Sequence, residues 1–169
     1  SEAQRMNRLV NDLLSLSQVE ATERQRPTEN IDLHGLIEQT VDILLPAAKA
    51  RDVTLNVVSQ ASTDISVKGD SDQLRQVFNN LIENAIKYGM QGGNVTVTLS
   101  HPAYLAALRS EGIEVTVSDD GPGIDPVHLP RLSERFYRID SHRSRQMGGT
   151  GLGLAIVKHI ISRHRGAAR

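Results

Sequence analysis

Two asparagines and a lysine stand in one row of a helical pattern: Asn80, Asn84 and Lys87. At 3.6 residues per turn this row lies roughly 110° around the axis from the apolar row of Leu74, Val77, Phe78, Leu81, Ile82 and Ala85. Polar groups that flank a core stripe line the wall of a cleft. Amide oxygens four residues apart can serve a hard cation and its waters. Lys87, less than a turn further on, adds a point charge suited to phosphate. An isolated pair of this kind is more often two surface or capping amides.

Two glycine-bearing stretches follow. Asp119-Asp120-Gly121-Pro122-Gly123 comes directly after a strand pattern. Its glycines allow a tight turn and close backbone approach, and a carboxylate at the strand end can accept from an exocyclic amine such as that of adenine. Alone it also reads as an ordinary turn. Gly148-Gly149-Thr150-Gly151-Leu152-Gly153-Leu154 opens a helix containing Ile156, Val157 and Ile160. Unhindered N–H groups at a helix start form a cradle for polyphosphate, although a glycine hinge fits as well. No strand leads directly into it, as a dinucleotide fingerprint requires, and it lacks the Gly-Lys-Ser/Thr of a P-loop.

The elements that must position these groups can be read from periodicity. Met6, Leu9, Val10, Leu13, Leu14 and Leu16 form a wide helical stripe over residues 2–21. A polar, proline-bearing linker spans 22–30. Asp32 caps a second helix with Leu33, Leu36, Ile37, Val41 and Leu44 on one face, perturbed at Pro46. Strands are expected at 53–58 and 65–67, and the asparagine helix at 72–88, broken by the glycines of 89–93. Further strands are expected at 94–100 and 112–118, with a helical turn in the insert HPAYLAALRSEG between them. A short helix at 126–135, a basic stretch and a last helix at 150–163 complete the chain. The order predicts an α+β two-layer sandwich on a mixed, mostly antiparallel sheet.

Composition bounds the function. The chain has 169 residues, 38% hydrophobic and 23% charged, as an ordinary globular domain does. Nineteen basic against 20 acidic residues leave a net charge of -1, no field for nucleic acid or an anionic membrane. Aromatic residues, at 3%, are too few for base-stacking platforms. With no cysteine there is no disulfide, thiolate metal site or cysteine nucleophile. No apolar run reaches membrane-spanning length, and the polar opening is unlike a signal peptide.

Taken together, an Asn-bearing helix, a strand ending in DxGxG and a GxGxG at a helix mouth resemble the N, G1 and G2 boxes of the GHKL superfamily. That superfamily comprises histidine kinases, type II topoisomerases, mismatch-repair ATPases and heat-shock chaperone ATPases, which share the Bergerat-type ATP-binding fold. The wording NNLIENAIKY, DDGPGI, ERFYRID and GGTGLGLAIVKHI is similar to sensor histidine kinases of the phosphate-regulon branch, and MNRLVNDLLSLSQVE resembles the second helix of their dimerisation domain. The resemblance implies a partial dimerisation domain at 1–25 and a catalytic ATP-binding domain at 26–169, its closing strands lying beyond the last helix.

It also implies roles for residues. Asn84 would hold Mg²⁺ with Asn80 assisting, Lys87 and Arg138 would reach the phosphates, and Tyr88 would pack near the base. Asp119 would read the adenine amine beside Gly121, Gly123 and Ile124. Gly149, Thr150, Gly151, Leu152 and Gly153 would cradle the triphosphate under a lid at 137–148. The topoisomerase and chaperone branches carry a Glu general base where this chain has Asn80, which cannot take a proton. Phosphoryl transfer to a histidine is thereby favoured over hydrolysis. Glu83 reads as a solvated outer-face residue.

The acceptor motif, a His followed by an acidic residue on the first dimerisation helix, is missing; His34, His101, His128, His142, His159 and His164 read as surface or packing residues. The acceptor would come from a dimerisation domain outside this sequence, so autophosphorylation by this chain alone is not expected. A response-regulator receiver domain would be the next partner, with a homodimeric, inner-membrane-anchored parent and this part in the cytoplasm. Ser133 stands where many relatives have Phe, and Asp120, where Asn is commoner, would add a charge near the triphosphate. The alternatives are an ATPase or serine kinase of the same superfamily, and a nucleotide-free dimerisation module.

Overall fold

The computed structural model describes residues 2–60, 66–105, 108, 110–120, 152–164 and 166. In chain order the described elements are α1 (Glu2–Thr22), β1 (Glu29–Asp32), α2 (Leu33–Ala50), β2 (Thr54–Ser59), β3 (Ser66–Gly69) and α3 (Ser71–Tyr88). They continue with β4 (Asn94–Leu99), β5 (Ala103–Leu105), β6 (Ser110–Gly112), β7 (Val115–Asp119) and α4 (Gly153–Arg163). The expected short helix at 126–135 and lid at 137–148 lie outside the described residues.

The central sheet has the order β2-β4-β7. β2 and β4 run parallel, with Val57 opposite Val97, so the chain must cross over between them, and α3 lies in that crossover. β4 and β7 are antiparallel, with Val95 opposite Asp119. Alternation is plain in β4: Val95, Val97 and Leu99 are buried, whereas Asn94 is exposed and Thr96 and Thr98 are half-buried. α2 and α3 lie side by side and pack on this sheet, burying Ile37, Val77, Ile82 and Ile86 in one core with the β4 valines. This is the expected α+β sandwich on a mixed sheet.

Several local expectations are refined by the structure. Residues 29–32, of which 29 and 30 fall in the expected linker, form β1 against β3, because a neighbouring strand supplies the ladder that four mostly polar residues cannot advertise, and Asp32 caps α2 as expected. α2 runs through Pro46 to Ala50: the proline is exposed, so water can serve the carbonyl it frees. The ends of the insert after Ser100 form two strands beyond those expected: β5 and β6 pair antiparallel, with Ala103 opposite Gly112, and Leu108 N–H donates to the Leu105 carbonyl at 3.1 Å between them. α3 also begins a little earlier than residue 72, since Asp70 caps it, its carboxylate accepting from Gln73 N–H at 3.1 Å.

α1 packs along α4, burying Leu16 and Val19 against the core that Ile156 and Ile160 enter from the other side. A polar contact reinforces the packing, for His159 Nδ1 lies 3.1 Å from Glu23 Oε2, just beyond the end of α1. Desolvation pushes the Glu23 carboxyl up, but the Ser162 hydroxyl, His159 and Lys158 together outweigh it and hold it below the ordinary carboxylate range. The outer face of α1 leaves Met6, Val10, Leu13 and Leu14 exposed.

Candidate functional site

The site is built where the C-terminal half of α3 meets the mouth of α4 and the end of β7. Core side chains orient α3: with Val77, Phe78, Ile82, Ala85 and Ile86 buried, Asn80, Asn84 and Lys87 are left half-buried on its flank. Asn80 Nδ2 donates to the carbonyl of Gly153 at 3.4 Å. A Cβ added to Gly153 would lie 3.8 Å from that same nitrogen. The helix carrying the amides therefore touches the final glycine of GxGxG, although 73 residues separate them. Leu152 is fully buried and anchors the start of α4.

The third stretch arrives through β7. Asp119, its last residue, is exposed and stands next to Gly89, which follows α3 directly. A Cβ on Gly89 would sit 3.5 Å from the Asp119 Cβ and only 2.5 Å from the carbonyl oxygen of Ala85. Glycine is needed for this close approach. Tyr88, one residue earlier, lies at the surface beside the same junction. Asn80, Asn84, Lys87, Tyr88, Asp119, Leu152 and Gly153 are thus carried by three elements that converge. Gly121, Gly123, Ile124, Arg138, Gly149, Thr150 and Gly151 lie outside the described residues.

Two side chains differ from the expected picture. Glu83 is not merely solvated: it is half-buried, accepts from Lys87 Nζ at 2.8 Å and from Asn79 Nδ2 at 3.3 Å. Lys87 is therefore held by a carboxylate one turn back. Asp120 is tied down as well, its Oδ2 accepting from the Asn94 N–H at 2.8 Å and from Asn94 Nδ2 at 3.1 Å. Its charge is engaged at the start of β4. By contrast, no described residue bonds the Asn84 amide.

The donor set can be tested against a divalent cation. Among the described residues there is no cluster of three His, Cys, Asp or Glu groups that could hold a metal. An amide oxygen such as that of Asn84 suits Mg²⁺ only as one ligand among phosphate oxygens and waters. The half-buried Asn84, which no described residue bonds, fits that part.

Residues 69–169 match the family of histidine kinase-, DNA gyrase B- and HSP90-like ATPases. The chain belongs to this family. Among its relatives within the family, the phosphate regulon sensor protein PhoR of Pseudomonas aeruginosa is 38% identical over 164 residues, covering 97% of this chain and 35% of its own length. A mycobacterial sensor histidine kinase, MprB, has a solved structure that superposes with a TM-score of 0.67 at 31% identity, covering 83% of this chain and 82% of that one. Full-length ShkA, solved in complex with AMPPNP, superposes with a TM-score of 0.74 at 26% identity, covering 96% of this chain and 32% of its own. The chain spans between 25% and 42% of the length of the first curated relatives it matches. No helix among the described residues is long and apolar enough to cross a membrane.

Sequence reasoning missed Arg51, whose guanidinium donates to the carbonyl of Gly89 at 3.1 Å. A contact across 38 residues leaves no periodic signal in sequence.

Proposed function

We propose that this chain is the ATP-binding catalytic part of a sensor histidine kinase, donating the γ-phosphoryl group of ATP to a histidine on a dimerisation helix. The observation that carries the reading is the contact of Asn80 with Gly153. An amide stands beside the phosphate cradle at the position where the hydrolytic branches of this family place a carboxylate base. It has no lone pair basic enough to activate water, so rate enhancement must come from positioning and charge neutralisation. The bond from γ-phosphorus to the β,γ-bridging oxygen breaks as an imidazole nitrogen bonds to phosphorus, and ADP leaves.

In this reading Asn84, assisted by Asn80, holds the Mg²⁺ that neutralises charge on the phosphates. Lys87 and Arg138 approach the phosphate oxygens, Lys87 by exchanging Glu83 for them. The glycine stretches 121–123 and 149–153 wrap the nucleotide, with Thr150, Leu152 and Ile124 alongside. Asp119 accepts from the adenine amine and Tyr88 packs by the base. Residues 1–25 are part of the dimerisation domain, which the exposed Met6, Val10, Leu13 and Leu14 support. The parent protein is a membrane-anchored homodimer that passes the phosphoryl group to an aspartate of a response regulator in the cytoplasm.

Mixing this chain with labelled ATP and a separately made dimerisation domain bearing the acceptor histidine tests the reaction. Acid-labile label on that domain is expected. Steady phosphate release without transfer would point instead to an ATPase, and a folded chain that binds no ATP with or without Mg²⁺ would defeat the reading.

A further inference from the structure

The loop that joins α3 to β4, residues 89–93, is gripped twice by Arg51, the residue that caps α2. Gly92 N–H donates to the Arg51 carbonyl at 3.0 Å, and Arg51 Nη2 donates to the Gly89 carbonyl at 3.1 Å. On its other side the loop has no slack. Gly89 abuts Asp119, and a Cβ on Gly93 would lie 3.3 Å from Asp120 Oδ2. The loop is therefore a spacer, pressed between Arg51 and the end of β7.

The guanidinium is an expensive way to hold it. Arg51 Nε is buried with no hydrogen-bond partner among the described residues. A buried donor left unmet costs stability, so an apolar side chain of similar length would be easier to accommodate. What the apolar chain would lack is the grip on Gly89. That residue follows Tyr88 and touches Asp119, the two groups assigned above to the base.

We propose that Arg51 is a positioning residue for base recognition: by fixing the Gly89 carbonyl it sets the gap between the end of α3 and the Asp119 carboxylate, and so the selectivity for a purine carrying a 6-amino group. This rests on the proposed assignment of Asp119 to the adenine amine. The nucleotide never touches Arg51, and its influence passes through Gly89.

The test compares ATP with inosine triphosphate, which carries an oxygen in place of the amine, by calorimetry in Mg²⁺ on the full chain. The wild type is expected to prefer ATP about tenfold to hundredfold, the worth of a hydrogen bond to a charged acceptor. Arg51→Met, which keeps the packing and removes the unmet Nε while taking the donor from the Gly89 carbonyl, is expected to stay folded with little net change in Tm and to lower that preference about three- to tenfold, the loss falling on ATP. Arg51→Lys, able to donate to Gly89, is expected to restore it, and inorganic tripolyphosphate is expected to bind all three proteins alike. A folded Arg51→Met with the wild-type preference overturns the proposal, because a merely structural role would move Tm and leave base discrimination untouched. Should Arg51→Met fail to fold, Arg51→Lys decides: folded with preference kept supports the proposal, folded with preference lost overturns it. A wild type that does not discriminate removes the Asp119 assignment and this proposal with it, an outcome distinct from discrimination that Arg51→Met leaves intact.

Discussion

The two halves of α3 are finished in opposite ways. At its start the capping groups are met. The Asp70 carboxylate accepts from Gln73 N–H and from Arg163 Nη1, while the Asp70 N–H donates to His164 Nε2 at 3.0 Å. Arg163 Nη1 also reaches Gln73 Oε1 at 2.9 Å, and its Nε donates to the carbonyl of Gln25 at 2.8 Å. Toward the other end Glu83 is held by Lys87 and Asn79, but Asn80 has one long bond and no described residue bonds Asn84. Polar groups that bond each other contribute to stability, whereas groups left under-engaged keep their capacity for a ligand. In the proposed reading the same helix serves as a strut at one end and as a binding wall at the other.

Truncating the strut gives the largest effect. Arg163→Ala removes three hydrogen bonds and leaves Asp70 without its cation, so it is expected to cost roughly 2–4 kcal/mol of stability. For a chain of this size that lowers Tm by about 5–12 °C, read by thermal denaturation, while ATP affinity of the folded protein is unchanged. A large loss of affinity at constant fold would erase the division between the two halves.

The wall should show the reverse. Asn84→Ala is expected to leave Tm within about 1 °C, since it breaks no bond to a described residue, and to weaken Mg²⁺-dependent ATP binding by roughly 2 kcal/mol, about thirtyfold. Titration with and without Mg²⁺ checks it, and an equal loss in both would place Asn84 away from the metal. Asp119→Asn is a smaller change, about 1–2 kcal/mol in ATP binding, because one acceptor oxygen survives. It is expected to narrow the preference for ATP over GTP, and an unaltered preference would count against Asp119 as the base reader.

How much of this could be read beforehand follows from the range of each interaction. The apolar stripe of α3 repeats every three or four residues, so it exposed both the helix and its flanking amide row. The final Gly153 was recognisable through its spacing from Gly149 and Gly151. What escaped was set by partners distant in sequence. Glu29–Asp32 becomes a strand only because β3 lies beside it. The Ala- and Leu-rich insert has helical propensity, and yet its ends pair as a hairpin. Asp70 and Asp72 are equally good caps by type, and the extended backbone of Asp70, with φ -108° and ψ 114°, selects it. Glu83 was assigned to solvent by its place on the helix, and its bonds to Lys87 and Asn79 arise from neighbours one turn away on either side.

The smallest predicted effect is a pH dependence confined to the strut. Burial pushes the His164 imidazole below its ordinary value, Arg163 pushes the same way, and the Ile160 carbonyl and Asp70 only partly oppose them. The geometry demands the neutral ring: Nε2 accepts from the Asp70 N–H, and Nδ1 lies 2.8 Å from the Ile160 carbonyl, to which it must donate. In the unfolded chain the histidine binds a proton near its ordinary value of about 6.5. Its contribution to stability is therefore present above that pH and is lost as pH falls from there through the lowered folded-state value. Asp70 adds nothing in this window. Its carboxyl, pushed up by burial but held lower overall by Gln73 N–H, Arg163 and His164, loses its contribution only at more acidic pH, as pH falls through its depressed folded-state value. Between pH 7.5 and 5.5 Tm is expected to drop by a few degrees, roughly what a fraction of one lost ionic interaction yields. His164→Gln, whose amide oxygen can still accept from Asp70 and cannot titrate, is expected to flatten that slope. A slope unchanged in the variant would show that the titrating group lies elsewhere, and the ring would then be a packing residue whose charge state is irrelevant to the strut.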